Sequence, residues 1–112
     1  MLGFRRRRTP DEEKVRLPEN AKRLRLRFVG QVQGVGFRWT SLGIARELGL
    51  TGWIKNEPDG SVIAEIQGEA SHVGAFFSRL LDSYRRYPIS YTVDEREEIP
   101  VDEREADFEV RY

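Results

Sequence analysis

The chain has 112 residues, with 19 Lys/Arg against 19 Asp/Glu, one His and no Cys. That is enough for one small two-layer domain, and it excludes disulfides, thiolate metal sites and cysteine nucleophiles. No apolar run approaches the roughly 20 residues of a membrane span, and the first arginines have no apolar segment behind them, so the expected compartment is the cytoplasm.

Residues 1–21 read as a flexible basic tail. Arg5, Arg6, Arg7 and Arg8 precede Thr9-Pro10 and the acidic Asp11-Glu12-Glu13, without apolar periodicity. This arginine run is the one hint of a nucleic-acid or anionic-lipid partner. From residue 22 to 112 the pattern is that of a folded domain. Over about Lys22–Val29, Leu24, Leu26 and Phe28 alternate with Arg23, Arg25 and Arg27, the period of a strand with one apolar face and one arginine face. Such a strand belongs to a sheet covered by helices on one side and open to water on the other. Trp39, Leu42, Ala45 and Leu48 then recur at helical spacing, predicting a helix over about Trp39–Glu47 that stops at Gly49.

A second strand is expected at Thr51–Asn56 and a third at Ser61–Gln67, joined as a hairpin by the turn signal Glu57-Pro58-Asp59-Gly60. Val73, Phe76, Phe77, Leu80, Leu81 and Tyr84 fill the apolar positions of a second helix, with His72 on the surface at its start. Pro88 closes the next connection. Ile89, Tyr91 and Val93 begin a fourth strand that fades into the acidic run Asp94–Glu98, and Phe108, Val110 and Tyr112 alternate as a short terminal strand. The order β-α-β-β-α-β plus one strand predicts an α+β, ferredoxin-like two-layer sandwich, a mostly antiparallel sheet with two helices on one face.

Between the first strand and the first helix stands Gly30-Gln31-Val32-Gln33-Gly34-Val35-Gly36-Phe37-Arg38. A glycine-rich turn between a strand and a helix can aim successive backbone N–H groups into one concavity at the positive end of the helix. Gly34 and Gly36 permit the dihedrals this needs, and Arg38 adds a planar fork of donors suited to phosphate or carboxylate. A P-loop would need Lys and Ser or Thr after its second Gly, and a dinucleotide fingerprint a third Gly where Trp39 stands. One compact anion fits the turn better than a pyrophosphate; on spacing alone, a purely structural turn remains open. Charge favours the anion, since residues 1–56 hold 13 basic and 5 acidic side chains, a balance of +8, against 6 and 14, or −8, in residues 57–112.

Val29–Arg38 resembles the signature of the acylphosphatase family. Gly52-Trp53-Ile54-Lys55-Asn56 with Asp59-Gly60-Ser61-Val62 and Gly68 resembles its second motif, and Phe108–Tyr112 is similar to its ending. The resemblance spans about residues 22–112. It implies metal-independent hydrolysis of acyl phosphates to a carboxylate and inorganic phosphate, with no cofactor. Carried over by motif, the phosphoryl group would sit on Arg38 and the backbone N–H groups of Gln33, Gly34, Val35, Gly36, Phe37 and Arg38, and Asn56 would hold the attacking water. Read without the motif, Asn56 suits an Asx turn into Glu57-Pro58. Ile54 stands where a smaller residue is usual, and Tyr84–Ile89 lacks the family's frequent Gly-Pro step. The implied protein is a monomer acting on small acyl phosphates. Two other classes stay open: a module that binds the anion without turnover, and an RNA-binding sheet, which the first strand's lack of exposed aromatics disfavours. No Cys-rich zinc segment follows, so a fragment of a larger maturation enzyme is not expected.

Overall fold

Leucines and arginines alternating along one strand divide the molecule into a dry face and a charged face. The computed structural model describes residues 17–34, 36–85 and 90–112. The expectations for Arg5–Arg8, Val35, Pro88 and Ile89 lie outside the described residues. Seven elements follow in order: β1 (Ala21–Gly30), α1 (Phe37–Glu47), β2 (Thr51–Asn56), β3 (Val62–Glu69), α2 (Ala70–Ser83), β4 (Tyr91–Ile99) and β5 (Phe108–Arg111). The sheet runs β4-β1-β3-β2-β5, antiparallel throughout except for the parallel β2–β5 pair. This is the ferredoxin-like sandwich with one strand added.

Register explains the dry face. Leu24, Leu26 and Phe28 of β1 lie opposite Ile66, Ala64 and Val62 of β3, and Ile54 of β2 lies opposite Ala64. All seven are buried, together with Val73, Phe76 and Leu80 of α2. Each large aliphatic or aromatic side chain removed from water in this way contributes about 1.5–3 kcal/mol. Gly52 interrupts β2 because a Cβ there would run into the Glu65 carbonyl oxygen of β3, at a φ of 140°.

Three expectations need correction. Trp39 does not face the sheet: α1 begins at Phe37, and its buried stripe is Phe37, Ser41, Ile44 and Ala45, while Trp39 is 56% exposed. At 3.6 residues per turn Trp39 stands roughly 200° round the helix from Phe37, on the face away from that stripe. The acidic run does not end β4, which continues to Ile99 as an edge strand. Its carboxylates sit opposite the β1 arginines, with Arg25 across from Glu97 and Arg27 across from Glu95, and a bulge between Arg27 and Phe28 admits Asp94, which pairs with Arg27. Because both faces of most of this strand are wet, its period is hidden.

The arginine face is also less open than expected. Residues 100–107 must carry the chain from β4 at one edge to β5 at the other, past β1, β3 and β2, roughly 19 Å at the usual strand spacing. Arg23 and Gln67 anchor this crossover. Arg23 donates to both carboxylate oxygens of Glu105, at 2.8 and 3.0 Å, and to Glu65 at 3.0 Å. Gln67 donates to the Asp102 carbonyl at 2.9 Å and accepts its N–H at 2.7 Å. Arg23 is consequently 4% exposed. Burial alone would lower its pKa, but Glu105 and Glu65 together hold it above the usual arginine value.

Candidate active site

β1 ends at Gly30, where the chain turns away from the sheet. Gln31 is tied to Ser90 twice, its N–H donating to the Ser90 carbonyl at 2.8 Å and its side-chain oxygen accepting the Ser90 N–H at 3.0 Å. Val32 drops into the core at 1% exposure and pins the middle of the turn. Gly34 and Gly36 adopt φ of 74° and 73°, in the left-handed region that ordinary residues avoid, and a Cβ at either would meet no atom within 4 Å. The glycines thus answer to backbone conformation and leave the concave side uncovered. Val35, between them, lies outside the described residues.

Gly36 caps α1 without a side-chain hydrogen bond, and the first helical bond runs from the Thr40 N–H to the Gly36 carbonyl at 2.9 Å. The N–H groups ahead of Thr40 therefore have no acceptor within the helix. They stand at its positive end, where an anion is favoured. Phe37, the first helical residue, is core. Its ring packs edge-on against Phe28 at 5.0 Å and Tyr91 at 5.7 Å and stacks with Tyr84 at 6.0 Å. Only its backbone belongs to the turn. Burial, with Tyr84 adding to it, pushes the Tyr91 hydroxyl pKa up behind this cluster.

Arg38 is half-buried on the first turn of α1. One guanidinium nitrogen donates to the Arg111 carbonyl at 3.2 Å, and the Tyr112 ring lies 4.9 Å from its carbon. A guanidinium has five donors, so this leaves others for a ligand. Asn56, the last residue of β2, reaches the same concavity. Its Oδ1 is buried and has no hydrogen-bond partner among the described residues. Gln33 joins the two halves, its side-chain amide donating to the Glu57 carbonyl at 2.8 Å and the Ser61 carbonyl at 2.9 Å. That turn is braced by Asp59, which accepts from the Ser61 hydroxyl at 2.6 Å, from its N–H at 2.9 Å and from Arg27 at 3.0 Å. These donors hold the Asp59 carboxyl down at about 2.

The result is a cavity of about 220 Å³ lined by Val32, Gly34, Gly36, Phe37, Arg38, Trp39 and Asn56. It is smaller than the roughly 300–1,000 Å³ of sites for drug-sized ligands, and suits one compact anion. A wider cleft of about 360 Å³ lies beside Gly52, but on its wall Asp102, Glu105, Asp107 and Glu109 outnumber Arg104 and Arg111. Its sign disfavours phosphate.

Among the described residues, those singled out in the sequence converge on this cavity, apart from Gln33, whose side chain clamps the neighbouring turn. Four contributions were not legible beforehand. Nothing in Phe108–Tyr112 says which strand it pairs with, so the Arg111 carbonyl and the Tyr112 ring beside Arg38 were hidden. Nothing marks Gln33 as a clamp. Trp39 was masked by its agreement with a helical stripe.

The acylphosphatase family profile matches residues 24–110. The acylphosphatase of Oceanobacillus iheyensis is 36% identical over 91 residues, covering 81% of this chain and 99% of that protein. That of Lactobacillus johnsonii is 49% identical over 59 residues, which are 53% of this chain and 65% of that protein. Among solved structures, an acylphosphatase from Coxiella burnetii superposes with a TM-score of 0.70 at 33% identity, over 83% of this chain and 95% of that one. A profile that runs from the middle of β1 into β5, through the glycine turn and Asn56, leaves no element of the sandwich outside the match. The chain therefore belongs to the acylphosphatase family.

Proposed function

We propose that this cavity hydrolyses acyl phosphates to a carboxylate and inorganic phosphate, with Arg38 and the turn's backbone N–H groups, from Gln33 to Arg38, holding the phosphoryl group. The observation that carries this reading is the convergence of Gly34, Gly36, Arg38 and the unpartnered Asn56 Oδ1 on one small cavity. Donors at fixed positions stabilise charge on the equatorial oxygens as the P–O bond to the acyl group breaks. Asn56 Oδ1 accepts a hydrogen bond from water and so holds the water for attack on phosphorus. The leaving group is a carboxylate, stable without protonation, so no general acid is required. An amide cannot take the water's proton; the transferred phosphoryl group takes it, and dihydrogen phosphate and carboxylate leave.

Among the described residues, no three His, Cys, Asp or Glu side chains come together as a metal site. The reading assigns no step to a metal or other cofactor. It also makes the protein a cytoplasmic monomer acting on small molecules. The exposed charges of Asp94, Glu95, Arg96 and Glu97 along the β4 edge support the monomer, because they oppose edge-to-edge pairing.

Purified full-length chain incubated with acetyl phosphate and excess chelator tests the reading. The expected result is release of acetate and phosphate in equal amounts, with inorganic phosphate as competitive inhibitor. Binding of phosphate without turnover would overturn it in favour of a module that only captures the anion.

A further inference from the structure

In-line displacement places the leaving group opposite the attacking water. With Asn56 holding water, the acyl group leaves on the side of the cavity away from that amide. The other lining residues divide clearly. Gly34, Gly36 and Arg38 present backbone and guanidinium to the phosphoryl group, and Val32 and Phe37 are each 1% exposed, spent in the core. Among the described residues, Trp39 is the remaining side chain on the wall.

Trp39 has no structural reason to be large. The inward face of α1 is made by Phe37, Ser41, Ile44 and Ala45, and Trp39 stands 56% exposed on the first turn. Four large hydrophobic side chains are exposed among the described residues: Trp39, Leu81, Val101 and Tyr112. Two of the four mark this mouth, since Tyr112 stacks on Arg38. An indole beside the cavity has no charge to offer a phosphoryl group, but it offers a flat apolar surface to whatever phosphate is esterified with.

We infer that Trp39 is the specificity-determining residue for the acyl group, its indole offering the acyl part of the substrate a flat apolar surface at the cavity wall. The inference rests on the acylphosphatase reading and adds to it the residue that reads the acyl group. It gives Trp39 a role in selecting the leaving group and none in clamping phosphate.

The test compares benzoyl phosphate with acetyl phosphate in the full-length chain and in Trp39→Ala and Trp39→Phe. The unsubstituted chain is expected to favour benzoyl phosphate in kcat/KM, and Trp39→Ala to lower the benzoyl-to-acetyl ratio about tenfold, mainly through KM. Trp39→Phe retains most of the ratio because a flat ring remains. A general disturbance of the fold lowers both substrates together and leaves the ratio alone. A second readout needs no turnover: benzylphosphonate inhibition weakens in Trp39→Ala relative to inhibition by inorganic phosphate. A ratio unaffected by Trp39→Ala overturns the inference while leaving acyl phosphate hydrolysis standing. No turnover of either substrate by the unsubstituted chain overturns the acylphosphatase reading itself.

Discussion

Arg38 and Asn56 sit on one cavity yet answer to different tests. The guanidinium of Arg38 is held by the Arg111 carbonyl and the Tyr112 ring, with donors to spare for a phosphoryl oxygen. Arg38→Ala is expected to weaken inhibition by inorganic phosphate and nearly abolish turnover, since losing a desolvated charge-assisted contact costs about 2–5 kcal/mol. Arg38→Lys keeps the charge but not the planar fork, and should also perform poorly. An unchanged phosphate inhibition constant in Arg38→Ala would remove Arg38 from the anion site. Asn56→Ala should instead lower kcat by orders of magnitude while phosphate inhibition stays within a few-fold, because the amide is assigned to water. Equal losses in turnover and phosphate affinity would place Asn56 among the phosphate ligands. Both side chains were legible from the two motifs. What fixes Arg38 was not, because it comes from a carbonyl 73 residues away.

The hairpin turn between β2 and β3 links local electrostatics to the cavity. Asp59 braces Ser61, and the carbonyls of Ser61 and Glu57 receive the Gln33 side chain of the glycine turn. Its carboxyl lies at about 2 in the folded chain against an ordinary 3.8. A depressed folded value means that ionised Asp59 stabilises the fold fully above the ordinary value. The contribution disappears as pH falls from about 4 through about 2. Asp59→Asn should therefore be less stable than the unsubstituted chain at neutral pH, with the gap closing over that acid window. Denaturant midpoints measured from pH 7 to pH 2 check this, and a gap independent of pH would show that the brace is not ionic. The hairpin itself was readable, since Glu57-Pro58-Asp59-Gly60 separates two alternating runs. β4 was readable only at its start, because alternation reports one-sided burial and an edge strand lined with carboxylates and Arg96 has little of it.

At the scale of the whole molecule, the sheet has a functional end and a structural end. The glycine turn, Asn56 and the end of β5 lie at one, and the crossover of residues 100–107 is fastened at the other through Arg23 and Gln67. His72 lies there too, lining a separate recess with Thr51 and Gln67. Glu105→Ala leaves the Arg23 guanidinium with Glu65 and Gln67. The expected cost is about 1.5–3 kcal/mol, below the roughly 3–5 kcal/mol of a buried charge left with no partner. A lowered denaturant midpoint with kcat on acetyl phosphate retained would confirm the separation of the two ends; loss of both would deny it. The crossover also ties the site to the far edge of the sheet. β5 lies beside β2, at the edge opposite β4, and residues 100–107 span three strands to put it there. Without β5 in that place the Arg111 carbonyl is not beside Arg38. Catalytic competence thus depends on a strand at the far edge of the sheet, so the site is complete only when β5 is docked. In refolding from denaturant, acetyl phosphate turnover should not recover ahead of far-ultraviolet circular dichroism, and turnover regained first would show that the site forms without β5.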